Sequence, residues 1–529
     1  MKTLLIGMPS GITNNLSVVY TLPYLGVFRL QHYLHDNNIP CDVFDPDIDV
    51  FNDFILEHDY FYDIVCIAGT HFSMDACLFY VNLFLERQKS HQPLLIAGGS
   101  AATFSYSMWL EAGFDIVVLG YGEKPLTSIC QYYDGERTQN FFKKLENVKG
   151  VAYYNDDNLM VNAAEELTNE LFHELTYERV LKLVMPYKKY WLLNGRSIES
   201  FQSEKFFFKL KTINLFTASQ CPNNCGYCNS KFLEHAQQKK AKIYALTAEE
   251  ICALLIENYA LYEMEHVLFT DEDFLFSKKR SVEICNKIIE IKNEGKLPQD
   301  VVFGCQTRVV NFLKKGEVDS EFIALIKKAG FENICIGAES SLPHILATPI
   351  MNKNHYTKDQ IYSIAVQLKE AGITSGVNFM LLTPESKKQD IYDELQFILQ
   401  LIHDGIEIRT TIGIMAFPGA PAVSNPRYEI SRTSLRSPIS GRTLSLTDSF
   451  LPMTGEGSVL FSNFSDTYTL ELERIRLLYN VEGAMRNSYY GLIRCIALAK
   501  ACGFLDLYKE FDAIVADWLK YSIMATKNI

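Results

Sequence analysis

Short apolar runs alternate with amphipathic segments along two stretches of the sequence, and this alternation constrains the fold more than any other feature. In the first stretch, from residue 1 to about 135, apolar runs such as TLLIGM, DIVCIAG, PLLIAGG and DIVVLG are separated by helix-like segments. Parallel strands that are buried on both faces produce unbroken Val/Ile/Leu runs, and the helices that connect them are amphipathic. The pattern predicts a doubly wound, Rossmann-like α/β domain over residues 1–147.

Two glycine-rich loops follow strands of this predicted sheet. In open parallel sheets, ligands bind beyond the carboxyl ends of the strands. The first loop contains Gly98, Gly99 and Ser100, and the second runs from Gly120 through Gly122 to Glu123, which begins a predicted helix. We expect these two loops to form the ligand surface of the first domain.

A second alternating series starts at residue 212 and contains six strand-then-helix units. One helix is predicted over residues 247–262, where Thr247 and Glu250 have capping-box spacing. The series predicts a (β/α)6 partial barrel over residues 206–420.

The remaining segments flank this predicted barrel. Residues 148–205 are interpreted as a hairpin around a turn at Asn155–Asn158 followed by a linker without clear periodicity. Residues 421–529 are interpreted as a C-terminal region, in which a Gly-, Pro- and Ser-rich loop or lid extends to about residue 466 and amphipathic helix follows.

Unusual polar clusters fall at the carboxyl ends of the predicted barrel strands, where barrel enzymes carry their chemistry. The segment CPNNCGYC places the thiols of Cys221, Cys225 and Cys228 within eight residues. Thiolates suit an iron-sulfur cluster or zinc. A structural zinc site usually has four protein ligands, whereas three leave a coordination position open for a substrate or cosubstrate. A structural metal knuckle remains the alternative.

The spacing CxxxCxxC, with Tyr227 before the last cysteine, resembles the signature of the radical SAM superfamily. The resemblance implies that Cys221, Cys225 and Cys228 hold a [4Fe-4S] cluster. It also implies that the free iron binds the amino and carboxylate groups of S-adenosylmethionine, and that one electron then generates a 5'-deoxyadenosyl radical.

Cysteine usage fits a reducing compartment, because the thirteen cysteines are an odd number and most stand alone in apolar segments.

The same resemblance assigns further cosubstrate contacts. Glu272 and Asp273 correspond to the position that binds the methionine amino group, and Gln306 and Arg308 to the carboxylate-binding position. Glu339 corresponds to the fourth-strand glutamate near the ribose or amino group. Alternative interpretations are a solvated turn or helix cap for the acidic pair and a buried structural carboxylate for Glu339.

The first domain resembles the cobalamin-binding domain that precedes many radical SAM barrels. The resemblance rests on LLIAGGSAAT and FDIVVLGYGE, and it implies cobalamin contacts that extend to Thr70 after the third strand. The contacts implied are Thr70, Gly98, Gly99, Ser100, Gly120, Gly122 and Glu123. The first loop reads MPSGITNN and lacks the histidine of the common cobalamin motif. We therefore expect base-off cobalamin without a histidine ligand, or a domain that has lost the cofactor.

These features favour a cobalamin-dependent radical SAM enzyme that methylates an unactivated carbon. Alternatives are radical cyclisation, rearrangement or oxidation without methyl transfer, and a noncatalytic iron-sulfur or cobalamin sensor. The net charge of -13 and scattered basic residues argue against a nucleic-acid partner. No apolar stretch has the length of a transmembrane helix, so we expect a cytoplasmic protein. The expected partners are a small-molecule, lipid or peptide substrate and an electron donor such as flavodoxin or ferredoxin.

Overall fold

The computed structural model describes most of the chain. The described residues are 1–9, 22–58, 61–69, 73–88, 91–199, 209–353, 355–451, 453, 455–479 and 487–527. Thr70, one of the expected cobalamin contacts, lies outside them.

The N-terminal domain is built on one sheet with helices on both faces. Its strands are β1 (Thr3–Ile6), β2 (Cys41–Phe44), β3 (Ile64–Ala68), β4 (Leu94–Gly98), β5 (Ile116–Val118), β6 (Val151–Asn155) and β7 (Asn158–Asn162). In the described part of the chain, these seven strands have the order β2-β1-β3-β4-β5-β6-β7. Strands β1 to β5 run parallel, whereas β6 pairs antiparallel with β5 and β7 pairs antiparallel with β6. The predicted hairpin therefore extends this sheet to residue 162, beyond the expected domain end at residue 147.

Both faces of this sheet are buried, which explains the unbroken apolar runs. Its helices are α1 (Leu25–Asp36), α2 (Phe51–Glu57), α3 (Met74–Arg87), α4 (Ser100–Phe104), α5 (Tyr106–Glu111), α6 (Glu123–Tyr132) and α7 (Gln139–Leu145). Leu4 and Ile6 of β1 belong to the core on one face, and Leu5 belongs to the core on the other. Successive side chains of a strand point to opposite faces, so each face needs its own helical layer. The doubly wound fold is confirmed.

The segment after the hairpin is helical rather than irregular. It contains α8 (Asn169–His173), a π-helical turn over Glu174–Glu178, a 3-10 turn over Val180–Lys182 and α9 (Tyr187–Glu199). Its aromatic side chains contribute to the core of the second domain: Phe172 and Tyr187 are buried there. The hydroxyl of Tyr187 donates to the Oδ1 of Asn214, at 2.8 Å. These tertiary contacts, rather than a helical repeat of apolar residues, stabilise the segment.

The second domain is an open parallel sheet with helices on its outer face. Its strands, with one small hairpin, are β8 (Thr212–Leu215), β9 (His266–Phe269), β10 (Val302–Arg308), β11 (Leu313–Lys314), β12 (Glu317–Val318), β13 (Phe331–Glu339), β14 (Thr374–Met380) and β15 (Glu407–Thr411). Its helices are α10 (Phe232–Gln237), α11 (Ala248–Tyr262), α12 (Lys278–Asn293), α13 (Ser320–Ala329), α14 (Pro343–Leu346), α15 (Lys358–Glu370) and α16 (Lys388–His403). Among the described residues, six strands pair in the order β15-β14-β13-β10-β9-β8. The predicted partial barrel is confirmed, as is the capping box of Thr247 and Glu250.

The C-terminal region contains a hairpin and three long helices in its described part. They are β16 (Ile430–Arg436), β17 (Thr443–Phe450), α17 (Gly455–Tyr479), α18 (Asn487–Ala501) and α19 (Leu505–Lys527). The expectation of a loop to residue 466 was wrong, because β16 and β17 pair and α17 begins at Gly455. Leu444 and Leu446 of the hairpin join the N-terminal core, and Ser437 Oγ donates to the carbonyl of Ala112 at 2.6 Å.

None of the helices in the described ranges combines the length and hydrophobicity of a membrane-spanning segment.

Candidate functional site

The cysteine loop follows β8 at the carboxyl end of the barrel sheet, and later parts of the chain hold its backbone. Tyr227 donates its amide to the carbonyl of Ile350 at 3.0 Å, and Ala422 donates its amide to the carbonyl of Gly226 at 2.8 Å. A Cβ atom on Gly226 would lie 2.2 Å from the carbonyl oxygen of Pro349. Residue 226 must therefore be glycine for this close backbone contact to form.

The three cysteines of the loop are free and half-buried. Asn223 donates to the Cys221 sulfur from its side-chain amide at 3.2 Å. Burial raises the pKa of Cys221 to about 11 and also raises the pKa of Cys225. Thiols with such pKa values remain protonated at neutral pH, so ligation of a metal must displace their protons.

The donor set fits a cluster in which each thiolate binds a different iron. In the described part of the chain, no three His, Cys, Asp or Glu side chains are arranged to hold a single metal ion. Ligands of a cubane need not converge on one point, because each one binds its own iron. The three thiols of this loop are therefore compatible with a [4Fe-4S] cluster.

The acidic residues after β9 point in different directions. Asp271 is buried and accepts hydrogen bonds from the amide and hydroxyl of Thr217 at 2.8 and 2.9 Å. Thr270 donates from its hydroxyl to the carbonyl of Leu215 at 3.1 Å. The hydrogen bonds of these two residues connect the end of β9 to the end of β8. Glu272 and Asp273, in contrast, lie in two separate polar environments.

Asp273 joins β9, β10 and the cysteine loop. It is buried and accepts hydrogen bonds from Arg308 Nε at 2.9 Å, Thr307 Oγ1 at 2.9 Å, Asn311 Nδ2 at 2.7 Å and Asn223 Nδ2 at 3.0 Å. Because Asn223 also donates to Cys221, Asp273 connects Arg308 to the cysteine loop. Asp273 and Arg308, which the family resemblance assigns to opposite ends of the methionine group, form an ion pair with each other. Gln306 is exposed on the same strand as Arg308.

Glu339 ends β13 in a backbone conformation that non-glycine residues rarely adopt, with φ of +60°. The register between β13 and β14 shifts between Gly337 and Glu339. Such an irregularity redirects a side chain. Here Glu339 Oε1 accepts a hydrogen bond from Lys353 Nζ at 2.7 Å, and both side chains are buried. A Cβ atom on Gly337 would lie 2.7 Å from the same carboxylate oxygen.

Lys353 is a site residue that sequence reasoning missed. It follows the segment that contacts the cysteine loop, and its Nζ lies 5.8 Å from the ring centre of Tyr227. Burial lowers the pKa of Lys353, but the nearby Glu339 and Cys225 outweigh that effect and raise it. The surrounding sequence, PIMNKNH, matches no motif, so only the folded structure brings this cation to the loop.

Glu394 supports the chain on the other side of Glu339. It lies buried in α16 and accepts hydrogen bonds from the hydroxyl of Ser340 at 2.5 Å and the amide of Ser341 at 2.9 Å. Burial raises the pKa of Glu394 to about 7. The carboxyl of Glu394 therefore fixes the turn that follows Glu339.

A second part of the site is a cavity of about 320 Å³ between the N-terminal sheet and the barrel. All seven residues of the two predicted ligand loops line it: Gly98, Gly99, Ser100, Gly120, Tyr121, Gly122 and Glu123. Its apolar walls come from the sheet, for example Ile96 and Val118, and from helices α1 and α6, for example Leu30 and Leu126. The barrel contributes Glu272, so this residue faces the cavity beside the N-terminal domain.

Buried polar groups line the same cavity. Arg29 Nε donates to Glu123 Oε1 at 2.5 Å, and its guanidinium lies 5.3 Å from the ring centre of Tyr121. Within the described residues, the other carboxylate oxygen of Glu123 and the hydroxyl of Tyr121 are buried without a hydrogen-bond partner. Burial raises the pKa of Tyr121 to about 12 and that of Glu272 to about 7. Buried polar atoms normally have partners, so this cavity fits a ligand with polar groups.

The chain is similar to known proteins in sequence and in structure. Residues 215–398 match the family model of the Radical SAM superfamily. No curated protein matches the sequence. The structure is similar to the cobalamin-dependent S-adenosylmethionine radical enzyme OxsB with aqua-cobalamin bound, at a TM-score of 0.63 and 15% identity. That alignment covers 98% of this chain and 75% of OxsB.

A second similar structure is the radical S-adenosylmethionine methyltransferase TsrM from Kitasatospora setae with cobalamin and a [4Fe-4S] cluster bound. Its TM-score is 0.62 at 14% identity, and the alignment covers 95% of this chain and 99% of TsrM. A TsrM structure with tryptophan substrate and a SAM analogue has a TM-score of 0.60 at 14% identity, with 86% of both chains covered. A radical SAM domain implies a [4Fe-4S] cluster and S-adenosylmethionine as cofactors. Residues 215–398 are therefore a radical SAM domain, in a chain with the overall fold of cobalamin-dependent radical SAM enzymes.

Proposed function

We propose that this protein is a cobalamin-dependent radical SAM methyltransferase that acts on an unactivated carbon. The observation that carries the proposal is the cavity between the two domains, which the glycine-rich loops line on one side and Glu272 of the barrel lines on the other. A cofactor in this cavity would touch both the N-terminal sheet and the barrel. The carboxyl end of the barrel, which carries the cysteine loop, borders this cavity through Glu272.

The proposed cofactors divide the chemistry between them. When bound, the cluster supplies the electron that cleaves S-adenosylmethionine to a 5'-deoxyadenosyl radical, and methylcobalamin supplies the methyl group. The protein binds and orients these groups and excludes water from them. Cys221, Cys225 and Cys228 would hold the cluster.

The barrel residues would orient the cosubstrate. Arg308, held by Asp273, would face the methionine carboxylate together with Gln306. Glu339, held by Lys353, would lie near the ribose or amino group. In this arrangement Asp273 acts through Arg308 and Asn223 rather than on the amino group itself.

The lining of the cavity favours one mode of cobalamin binding. Its volume of about 320 Å³ and its apolar walls between the sheet and helices α1 and α6 suit the nucleotide tail rather than the whole corrin. Gly98 and Gly120 allow a ligand to approach the backbone closely. The loop after β1 reads MPSGITNN and lacks the histidine of the common cobalamin motif. These observations favour base-off cobalamin without a histidine ligand.

A second candidate is a radical reaction without methyl transfer. It is favoured by the similarity to OxsB, which is described as a radical enzyme rather than as a methyltransferase. In both cases we expect a small-molecule, lipid or peptide substrate, a flavodoxin or ferredoxin as electron donor, and a reducing cytoplasmic environment for the cluster.

The test is anaerobic reconstitution with iron and sulfide, followed by dithionite, S-adenosylmethionine and hydroxocobalamin. 5'-Deoxyadenosine is measured by mass spectrometry, and cobalamin retention and methylcobalamin formation by absorbance. Cys221→Ala removes a proposed ligand, and Cys252→Ala, which removes a buried core thiol of α11, is the matched control.

The proposal expects 5'-deoxyadenosine, retained cobalamin and methylcobalamin formation with wild type and Cys252→Ala. Cys221→Ala should still retain cobalamin but form no 5'-deoxyadenosine. 5'-Deoxyadenosine without methylcobalamin would favour the second candidate. A wild-type protein that assembles no cluster would refute both.

A further inference from the structure

Lys353 is a buried cation beside the cysteine loop, and its position is fixed by several contacts. It is 6% exposed, and its amide donates to the carbonyl of Leu346 at 2.8 Å. The preceding residue, Asn352, donates from its side-chain amide to the carbonyl of Asn224 in the cysteine loop at 2.7 Å. These contacts fix the backbone at Lys353 relative to the loop.

Lys353 carries its charge next to the cysteine loop. Its Nζ lies 5.8 Å from the ring centre of Tyr227, which stands between Cys225 and Cys228 in the sequence, and 2.7 Å from Glu339 Oε1. Arg308 is paired with Asp273, as Lys353 is paired with Glu339. Two ion pairs thus lie beside the cysteine loop, and Lys353, with a side chain 7% exposed against 22% for Arg308, is the more buried of their two cations.

We propose that Lys353 is a positioning residue that holds Glu339 and raises the midpoint potential of the cluster ligated by Cys225. This inference rests on the proposed cluster. Reduction adds a negative charge to the cluster, and a buried positive charge nearby stabilises the reduced state. The negative charge of Glu339 has the opposite effect, so the midpoint potential depends on the difference between the effects of the two charges.

The test compares variants of opposite charge change in the full-length reconstituted protein. Lys353→Met removes the cation, Lys353→Arg keeps it, and Glu339→Gln removes its partner. Lys292→Met is the matched control, because Lys292 is also buried but donates to the carbonyl of Val301, just before β10 begins. Iron and sulfide content is measured first. The midpoint potential is then determined by EPR-monitored redox titration without S-adenosylmethionine.

We expect Lys353→Met to make cluster reduction at least tenfold less favourable, which lowers the midpoint potential by about 59 mV for a one-electron couple. Glu339→Gln should shift the potential upward, and Lys353→Arg and Lys292→Met should leave it near the wild-type value. An unchanged potential in Lys353→Met, with a full cluster content, would overturn the proposal.

Two further outcomes are also decisive. If Lys353→Met assembles no cluster, Lys353→Gln, which keeps a hydrogen-bond donor for Glu339 without the charge, is titrated instead: a lower potential supports the role of Lys353, and an unchanged potential overturns it. If wild type assembles no cluster, the proposed function itself fails, and the iron and sulfide analysis distinguishes this result from an unchanged potential.

Discussion

Arg308 donates from Nε to Oδ2 of Asp273 at 2.9 Å, and this ion pair links the ends of β9 and β10. The carboxylate of Asp273 is fully buried, whereas the side chain of Arg308 is 22% exposed. The buried partner depends on the pair for its solvation, because water does not reach it.

Asp273→Ala should destabilise the barrel and weaken the cysteine loop together. Removal of the carboxylate leaves four donors without their acceptor, and we expect a loss of about 2 to 3 kcal/mol, since Arg308 keeps some contact with water. Thermal unfolding of the apo protein measures the loss, and reconstituted iron content should also fall. The thermal midpoint of Asp273→Asn, which keeps one acceptor oxygen, should lie between those of wild type and Asp273→Ala. Equal thermal midpoints for wild type and Asp273→Ala would contradict this assignment.

Gly226→Ala should impair cluster assembly. The new methyl group would lie 2.2 Å from the carbonyl oxygen of Pro349, so the loop must move away from its support. Iron and sulfide per chain after reconstitution measure the effect, and we expect less than half of the wild-type content. Gly491→Ala is the control, because the nearest atom to its added methyl group is 3.5 Å away. Normal cluster content in Gly226→Ala would show that the loop tolerates this displacement.

Gly98→Leu should abolish cobalamin retention and leave the cluster intact. Gly98 lines the cavity between the domains, and the nearest atom to an added Cβ, on Val118, is 3.9 Å away. A leucine side chain fits the backbone there but fills the space proposed for the nucleotide tail. Gly98→Ala should retain cobalamin. The readouts are corrin absorbance after desalting and iron content, and cobalamin retained by Gly98→Leu would argue against this binding site.

Glu394→Gln should flatten the pH dependence of stability. The pKa of Glu394 is raised to about 7 in the folded protein, whereas an unfolded glutamate titrates near its ordinary value of about 4.3. Its contribution to stability is therefore full below about pH 4.3 and is lost as the pH rises through 7. Glutamine does not ionise, so the variant should avoid a loss on the order of 3 kcal/mol at pH 8.

Thermal midpoints at pH 5.5 and pH 8 check the Glu394 prediction. Glu321→Gln is the matched control, because the side chain of Glu321 is 90% exposed. Parallel pH profiles for wild type and Glu394→Gln would mean that this carboxyl does not control the stability of the turn after Glu339.

Repeating patterns made much of the fold predictable. The strands of both sheets follow from unbroken apolar runs, and the start of α11 follows from the capping residues Thr247 and Glu250. The β16–β17 hairpin was not predicted, because a Gly-, Pro- and Ser-rich composition hides the alternation of Leu444 and Leu446. These residues are apolar because they pack on the N-terminal core, which is distant in sequence.

The candidate site was predictable in its location but not in its contacts. The sequence pattern placed Glu272 and Asp273 at the end of β9. It did not show that Glu272 faces the cavity whereas Asp273 contacts Arg308. Side-chain direction in a turn depends on the loops that surround it. Lys353 had no sequence signal, since its role depends on a contact between residues 349–353 and a loop more than a hundred residues earlier.

The backbone contacts that hold the cysteine loop come from residues later in the chain, and they determine when the loop can fold during synthesis. The amide of Ala422 bonds to Gly226, so the loop has its final shape only after about 200 further residues have been synthesised. At ribosomal rates of about 5–20 residues per second, that interval is roughly 10–40 s. During this time the three thiols are exposed to oxidants and to competing metals. Cluster insertion therefore belongs to the end of synthesis, and a chain truncated before residue 349 should emerge without an assembled cluster-binding loop.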